Sequence, residues 1–203
     1  MIMLKLTNVT KNFNGKKVLN HVHFEFKDGN IYVIRGESGS GKTTLLNIIA
    51  GYIHADEGEV ERAGDLKIEY LFQDDMLFSN LTVQENLYIK YAVLHPDAAG
   101  FEKTAHDVLR SFHIIDLIDR KVSMLSGGEK RRVQLANVFM SNPDIVLMDE
   151  PTSKLDAKNR KSILDAITHA FRNKLVIIVS HENDQMPSNS IHLKLVNGSL
   201  QYE

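Results

Sequence analysis

A glycine- and serine-rich segment at residues 36–44 has the residue types and spacing of a phosphate-binding loop, G-x-x-x-x-G-K-[ST]. Its residues are Gly36, Glu37, Ser38, Gly39, Ser40, Gly41, Lys42, Thr43 and Thr44. The glycines permit a tight turn that points backbone N–H groups inward, and a helix starting there adds its positive end. We expect Lys42 to reach the β- and γ-phosphates and the Thr43 hydroxyl to ligate Mg²⁺. The segment therefore predicts a site for a nucleoside triphosphate with Mg²⁺.

Two carboxylates, Asp149 and Glu150, directly follow the apolar residues 145–148. Such a run is typical of a central parallel strand, and α/β sheets bind their ligands at the carboxyl ends of strands. We expect Asp149 to hold Mg²⁺, directly or through a water, and Glu150 to polarise the water that attacks the γ-phosphate. A solvated acidic pair is the alternative, and the presence of the phosphate-binding segment favours the catalytic interpretation.

A third segment, Ser126-Gly127-Gly128-Glu129, fits a capping box, so it could simply begin a helix. Two consecutive glycines are costly there unless the backbone must approach something closely. A ligand oxygen is the natural candidate at a helix N-terminus. The chain would then carry two anion sites for one nucleotide, which is reasonable if the second site serves a partner's nucleotide.

Composition narrows the class of protein. The 203 residues are 43% hydrophobic and 25% charged, which suits one globular unit. A net charge of −2 gives no sign of a nucleic-acid surface, and the absence of cysteine excludes disulfides and thiolate chemistry. The sequence shows neither a secretory signal nor a membrane-spanning run. His21 and His23 share one face of a predicted strand and could chelate a metal, although such pairs more often form a solvated face.

The order of the elements predicts an α/β fold. Apolar runs at residues 31–34, 145–148 and 175–179 alternate with helical segments, which indicates a mostly parallel sheet with helices on both faces. Strands joined by the Asn14-Gly15 turn predict an antiparallel β subdomain at the N-terminus. We expect a single domain over residues 1–203. Residues 1–72 and 141–203 would form its nucleotide-binding core, and residues 73–140 an inserted α-helical subdomain.

Together these segments resemble the nucleotide-binding domain of an ABC transporter. The matching segments, in order, are the phosphate loop, residues 125–129 (Leu-Ser-Gly-Gly-Glu), residues 149–152, residues 153–156 (Ser-Lys-Leu-Asp) and Ser180-His181. The resemblance implies a P-loop NTPase fold and an ATPase in which two cassettes close head to tail around two ATP molecules. It also implies that Ser126, Gly127 and Gly128 contact the γ-phosphate held by the opposite subunit, with Glu129 in the same nucleotide-binding segment.

The same resemblance assigns roles to four further residues. Gln73 matches the glutamine that touches Mg²⁺ and the attacking water, and His181 matches the histidine that contacts the γ-phosphate. Phe13 matches the aromatic residue that stacks on adenine, although a phenylalanine after a strand is also often a core residue. Asp156 matches the aspartate of the loop that crosses the dimer interface.

Four residues depart from the usual pattern of the family. Glu129 and Lys130 replace glutamines of the signature segment, and both replacements occur in the family. Lys154 adds a charge to the interface loop, which could tune the affinity of the dimer. Arg35 stands before the phosphate loop where a small or apolar residue is usual, and the sequence offers no explanation for it.

The resemblance also implies partners. We expect a homodimer or paired cassettes on ATP binding, and transmembrane permease subunits that hold the chain on the cytoplasmic face of the membrane, with no nucleic-acid partner. Residues 73–78 and 81–87 are similar to those of cassettes for lipoprotein release, peptide export and bacteriocin export. An exporter of peptide, bacteriocin, lipoprotein or antimicrobial is therefore expected. The alternatives are a soluble ABC ATPase of the iron–sulfur assembly type and an ATP-gated signalling partner of a membrane protein.

Overall fold

The structure is a computed structural model that describes residues 1–97, 99–153, 155–181 and 185–203. The strands are β1 Ile2–Phe13, β2 Lys16–Lys27, β3 Ile31–Arg35, β4 Glu57–Arg62, β5 Ile68–Leu71, β6 Ile145–Asp149, β7 Leu175–Val179, β8 Ile191–Val196 and β9 Ser199–Tyr202. The α-helices are α1 Lys42–Ala50, α2 Val83–Leu94, α3 Phe101–Ser111, α4 Gly127–Phe139 and α5 Ala157–Ala170. The chain forms two compact units, one of residues 1–70, 144–150 and 171–203 and the other of residues 71–143 and 151–170. None of the helices in the described ranges has the length and apolar character needed to cross a bilayer.

A three-stranded antiparallel sheet in the order β2-β1-β4 belongs to the first unit. The predicted Asn14-Gly15 turn joins β1 to β2, and both residues have the positive φ, 49° and 79°, that this turn requires. The sequence pattern does not indicate β4, because its residues Glu-Gly-Glu-Val-Glu-Arg lack an apolar alternation. Val60 is half-buried and the other five residues of β4 are exposed. β4 is an edge strand, and its charged side chains discourage pairing with a further strand.

A six-stranded sheet in the order β5-β6-β7-β3-β8-β9 completes the strands of this unit. The buried strands β3, β6 and β7 run parallel, as their apolar sequences predict. Their register sets both Ile34 and Asp149 level with Val179. Tyr32 of β3 packs edge-to-face on Phe24 of β2, with ring centroids 5.8 Å apart, so the two sheets share an aromatic core.

The second unit is helical, and α4 contacts α2, α3 and α5 within it. The residues it buries include Leu87, Leu109, Val133, Leu135, Ile163 and Ile167. The capping box predicted at Ser126 is confirmed, and a second one begins α2 at Thr82: each side chain accepts a hydrogen bond from a backbone N–H three residues later, and the glutamate there accepts one in return. The predicted α/β class with an antiparallel N-terminal part is confirmed as well.

Candidate active site

In the first unit, the residues expected to act on a nucleotide lie at one edge of the large sheet. The N–H of Ser180 donates to the carbonyl of Ile34, and the N–H of Glu150 donates to the carbonyl of Val179, both at 3.1 Å. These bonds hold the ends of β3, β7 and β6 side by side. The phosphate loop after β3, Glu150 after β6 and His181 after β7 therefore leave the sheet at the same edge.

The phosphate loop closes around the ammonium group of Lys42. This side chain is buried, and its Nζ donates to the carbonyl oxygens of Gly36 at 2.7 Å and Glu37 at 2.9 Å. Gly41 precedes α1 at φ 104°, and a Cβ there would lie 2.7 Å from a methyl carbon of Val18, so this position requires glycine. Because glycine offers no side-chain acceptor, it leaves the first N–H groups of α1 for an anion.

A cavity of about 700 Å³ borders this loop. Its lining includes residues 37–40 and three lysines, Lys16, Lys17 and Lys194. The Ser40 hydroxyl oxygen is buried and has no hydrogen-bond partner within the described part of the chain. Ligand pockets commonly measure about 300–1,000 Å³, and the lysines add positive charge. The cavity therefore suits an anionic ligand of nucleotide size.

Phe13 ends β1 with 46% of its surface exposed, so it is not a core residue. The Lys11 ammonium lies 5.5 Å from the centroid of its ring and is held there by Asp56, with 2.7 Å between nitrogen and oxygen. Two hydrogen bonds lower the pKa of Asp56: the one from Lys11 has the larger effect, and the one from the backbone N–H of Asn12 the smaller. A cation over an aromatic ring is attractive and covers that part of the ring. The rest of the exposed ring can stack on a base.

Glu150 and His181 contact each other directly. Nε2 of His181 lies 2.9 Å from Oε1 of Glu150, with the Glu150 side chain 15% exposed and that of His181 54% exposed. Glu150 has a φ of 47°, in the left-handed region that costs a non-glycine residue about 1–2 kcal/mol. Strained backbone of this kind clusters at functional sites. The structure thus brings two of the expected catalytic residues together.

Asp149 is buried at the end of β6, and the Tyr70 hydroxyl donates a hydrogen bond to its Oδ2 at 3.4 Å. Burial, and then the charge of Asp149, raises the pKa of Tyr70, so the hydroxyl stays protonated and remains a donor. Tyr52 stacks on Tyr70 with ring centroids 5.8 Å apart. The sequence gives no signal for this role, because an aromatic residue in a strand ordinarily indicates packing.

The oxygen donors near the phosphate loop suit Mg²⁺. The Thr43 hydroxyl and the Asp149 carboxylate are hard ligands of the kind that Mg²⁺ prefers, and Asp149 already has an orienting donor in Tyr70. Within the described ranges no three histidine, aspartate or glutamate side chains form a metal-binding group. His21 and His23 are both exposed on β2.

In the second unit, α4 begins at the predicted second anion site. The N–H and hydroxyl of Ser126 donate to Oε2 of Glu129 at 2.8 and 2.7 Å, and these bonds, the backbone one first, lower the pKa of Glu129. A Cβ on Gly128 would lie 2.7 Å from the side-chain oxygen of Asn159, so packing explains this glycine. Among the described residues, a Cβ on Gly127 would meet only Leu155, at 4.0 Å. Packing among the described residues does not explain Gly127, which favours the close approach of a ligand as the reason.

Two other expected site residues belong to the same unit. The Asp156 carboxylate accepts hydrogen bonds from the backbone N–H and the side-chain amide of Asn159, at 2.9 and 2.7 Å, and these bonds lower its pKa. Asp156 therefore fixes the start of α5 next to Gly128. Gln73 is exposed just after β5 and lines a cavity of about 170 Å³ together with Gly127 and Leu155.

Of the charged residues that depart from the family pattern, the structure shows ion-pair partners for Arg35 and Lys130. Nη1 of Arg35 lies 2.9 Å from a carboxylate oxygen of Glu203, so this arginine links β3 to the residue that follows β9. Lys130 lies 3.9 Å from a carboxylate oxygen of Asp75. Lys154 lies outside the described residues.

Comparison with known proteins gives consistent matches. The ABC transporter family matches residues 19–153. The lipoprotein-releasing system ATP-binding protein LolD of Buchnera aphidicola subsp. Schizaphis graminum is 32% identical, over 98% of this chain and 96% of that protein. The sulfate/thiosulfate import ATP-binding protein CysA of Pseudomonas syringae pv. tomato is 33% identical, over 90% of this chain and 60% of that protein. A solved ATP-binding cassette of an ABC transporter in its ADP conformation matches with a TM-score of 0.86 and 26% identity, over 99% of this chain and 90% of that one.

Proposed function

Because this chain belongs to the ABC transporter family of ATP-binding subunits, we propose that its ATPase activity drives a membrane permease carried by another chain. One observation carries the proposal. The phosphate loop, Asp149, Glu150 and His181 lie at the same edge of the sheet, and Glu150 and His181 are in contact at 2.9 Å. A γ-phosphate held by the loop would face a carboxylate and an imidazole there.

The loop would bind ATP through its phosphates. Backbone N–H groups of residues 36–44 and of the first turn of α1 would donate to phosphate oxygens. Lys42 would exchange its bonds to the carbonyls of Gly36 and Glu37 for bonds to the β- and γ-phosphates. Phe13 would stack on the adenine ring.

Thr43 and Asp149 would hold Mg²⁺, with Gln73 as a further oxygen donor. When bound, the ion supplies neutralisation of the charge that develops on the phosphate oxygens. The Tyr70 hydroxyl would keep the Asp149 carboxylate oriented through their hydrogen bond.

Glu150 would act as the general base. Its carboxylate would take a proton from the water that attacks the γ-phosphate in line. His181 would orient that carboxylate through the 2.9 Å contact and donate to a γ-phosphate oxygen. The low exposure of Glu150 strengthens both interactions, because less water competes with them.

Two copies would close head to tail on ATP. Ser126, Gly127, Gly128 and Glu129 of one copy would meet the γ-phosphate held by the phosphate loop of the other, while Asp156 would lie at the interface. The γ-phosphate favours the closed dimer because only there does the second anion site reach it. Hydrolysis removes that bridge, and the dimer reopens to drive the permease.

We assign the cargo to the peptide, bacteriocin, lipoprotein or antimicrobial class, exported by a permease that holds this subunit on the cytoplasmic face of the membrane. The 32% identity to LolD, a lipoprotein-releasing system ATP-binding protein, supports a cargo of this class. The exposed apolar residues Met76 and Phe78, shortly after Gln73, would contribute contact area for the permease.

The variant Glu150→Gln tests hydrolysis and partner together. Glutamine keeps the size of glutamate but cannot take a proton, so we expect turnover to fall by about 100-fold or more while ATP binding persists. The tagged variant, incubated with MgATP and detergent-solubilised host membranes, should retain a multi-span membrane protein that mass spectrometry identifies. The matched control is Lys42→Ala, which should lose ATP binding and, with it, the ATP-dependent retention.

Either arm can overturn the proposal. Near-normal turnover in Glu150→Gln would remove Glu150 from the role of base. Recovery of soluble partners alone, from a variant that is dimeric and loaded with ATP, would instead support an ATPase of the iron–sulfur assembly type. A membrane partner without a transported cargo would indicate signalling.

A further inference from the structure

Arg131 is a charged residue buried in the helical unit, with 6% of its surface exposed. Its guanidinium donates hydrogen bonds from Nε to the carbonyl of Pro151 at 2.7 Å, and from Nη1 to the carbonyl of Phe72 at 2.8 Å and to the side-chain oxygen of Gln134 at 3.0 Å. Burying a guanidinium is costly unless its donors are satisfied. These three acceptors repay that cost, and two of them belong to backbone outside α4.

Gln134 extends the same set of contacts. It is also buried, and its amide nitrogen donates to the carbonyl of Asp74 at 3.3 Å and to the carboxylate of Asp75 at 3.4 Å. Arg131 and Gln134 therefore hold the two carbonyls on either side of Gln73. We call Arg131, Gln134 and the carbonyls of Phe72, Asp74 and Pro151 the α4 clasp.

The position of these acceptors indicates a role for Arg131 in addition to stabilising the fold. Phe72 directly precedes Gln73, and Pro151 directly follows Glu150. The guanidinium of Arg131 thus bonds to two segments. One contains Gln73, the residue expected to contact Mg²⁺, and the other begins directly after Glu150, the expected general base. A lysine could not do the same, because the planar fork of arginine directs separate N–H groups to separate acceptors.

We propose that Arg131 is a positioning residue for ATP hydrolysis. It fixes the Gln73 segment and the segment after Glu150 against the same helix, so that neither moves without the other. This role rests on the proposed function of Gln73 and Glu150. The α4 clasp itself does not depend on that function and can be tested in protein without nucleotide.

The first experiment measures hydrogen–deuterium exchange in the nucleotide-free chain for Arg131→Met, Arg131→Lys and Gln134→Ala. We expect Arg131→Met to speed exchange by about tenfold in both residues 71–78 and residues 151–156, because an opening free energy lower by about 1.4 kcal/mol gives that factor. Gln134→Ala should speed exchange mainly in residues 71–78, since the amide of Gln134 donates to Asp74 and Asp75 in that segment. Arg131→Lys should lie between Arg131→Met and the wild type.

The matched control is Arg132→Met. Arg132 lies on the same helix and also donates to a carbonyl, that of Phe112 at 3.3 Å, as well as to the Ser162 hydroxyl. These partners lie outside the two segments, so exchange in residues 71–78 and 151–156 should not change. Both arginine variants should lose thermal stability, because each removes a partly or fully buried hydrogen-bonded side chain.

The second experiment separates positioning from simple stabilisation by steady-state kinetics. We expect Arg131→Met to lower kcat by about tenfold with KM for ATP within about twofold, and Arg131→Lys to recover part of kcat. Arg132→Met should keep both constants at a comparable loss of melting temperature. Equal losses of kcat in the two variants, or exchange changes confined to α4, would overturn the proposal. If the wild type had no ATPase activity, the proposed function would fail while the exchange data still decided whether the clasp exists.

Discussion

At the scale of single residues, Phe13 would give an adenine ring a partly covered aromatic platform. Lys11 lies over the ring at 5.5 Å and is fixed by its 2.7 Å contact with Asp56. A base that stacks on the uncovered part of the ring gains dispersion and displaces water from an exposed aromatic surface. The platform should therefore contribute to ATP affinity and leave the chemical step untouched.

We predict that Phe13→Ala raises KM for ATP by about tenfold or more, since stacking of a base on an aromatic ring is worth about 1–3 kcal/mol. The value of kcat should stay within about twofold, because the ring touches no reacting atom. Steady-state ATPase assays over a range of ATP concentrations measure both constants.

Phe13→Tyr and Phe13→Trp are the controls, since both keep an aromatic face and should keep KM near that of the wild type. An unchanged KM in Phe13→Ala would mean that the base lies elsewhere. A fall in kcat without a change in KM would also contradict the platform role.

At the scale of elements, two hairpins share the turn sequence Asn-Gly but differ in their surroundings. Gly15 and Gly198 have nearly the same φ, 79° and 76°. A Cβ on Gly15 would meet no described residue within 4 Å, whereas one on Gly198 would lie 3.0 Å from backbone atoms of Val18 and Asn20. The Gly198 carbonyl also accepts from the N–H of Asn20 at 2.8 Å. The β8–β9 hairpin is therefore packed tightly against β2.

We predict that Gly198→Ala costs more stability than Gly15→Ala. Both substitutions force alanine into the left-handed region, at about 1–2 kcal/mol each. The clash with the β2 backbone should add about 1–3 kcal/mol in Gly198→Ala alone. Urea unfolding of the two variants and the wild type gives the comparison.

Equal losses in the two variants would show that β2 moves freely away from the turn. A larger loss in Gly15→Ala would reverse the proposed ranking of the two hairpins.

The sequence predicts the elements whose signals are local. Ser126 with Glu129 marks the start of α4, the Asn14-Gly15 turn marks the first hairpin, and apolar runs mark β3, β6 and β7. Strand β4 escapes prediction because an exposed edge strand of charged residues carries no apolar period.

In the candidate site, too, some residues can be predicted from the sequence and others cannot. Spacing alone identifies Lys42 and the Asp149-Glu150 pair, because their chemistry is tied to contiguous segments. It cannot identify Arg131, whose acceptors on Pro151 and Phe72 lie 20 and 59 residues away in the sequence. Nor can it identify Tyr70, whose partner Asp149 lies 79 residues away. Spacing also gives no contact between Glu150 and His181, since that contact depends on the order of the parallel strands.

At the scale of the whole molecule, the proposed head-to-tail closure of two copies would depend on the backbone at the start of α4. Among the described residues, a Cβ on Gly127 would make only an ordinary van der Waals contact with Leu155, at 4.0 Å, whereas one on Gly128 would clash with Asn159 at 2.7 Å. This difference separates the effect of a substitution on the fold from its effect on the dimer. An added methyl group at residue 127 fits within one chain, but it would stand where the γ-phosphate of the second copy is expected.

We predict that Gly127→Ala, in the Glu150→Gln background, weakens ATP-driven dimerisation by about tenfold or more, which corresponds to about 1.4 kcal/mol. Its melting temperature should not fall, because alanine is a better helix former than glycine. Gly128→Ala should lower the melting temperature as well, through its clash with Asn159. Size-exclusion chromatography with light scattering, with and without MgATP, measures the dimer. Full dimerisation of the Gly127→Ala protein would exclude this backbone from the second anion site, and a monomeric Glu150→Gln protein under MgATP would contradict head-to-tail closure itself.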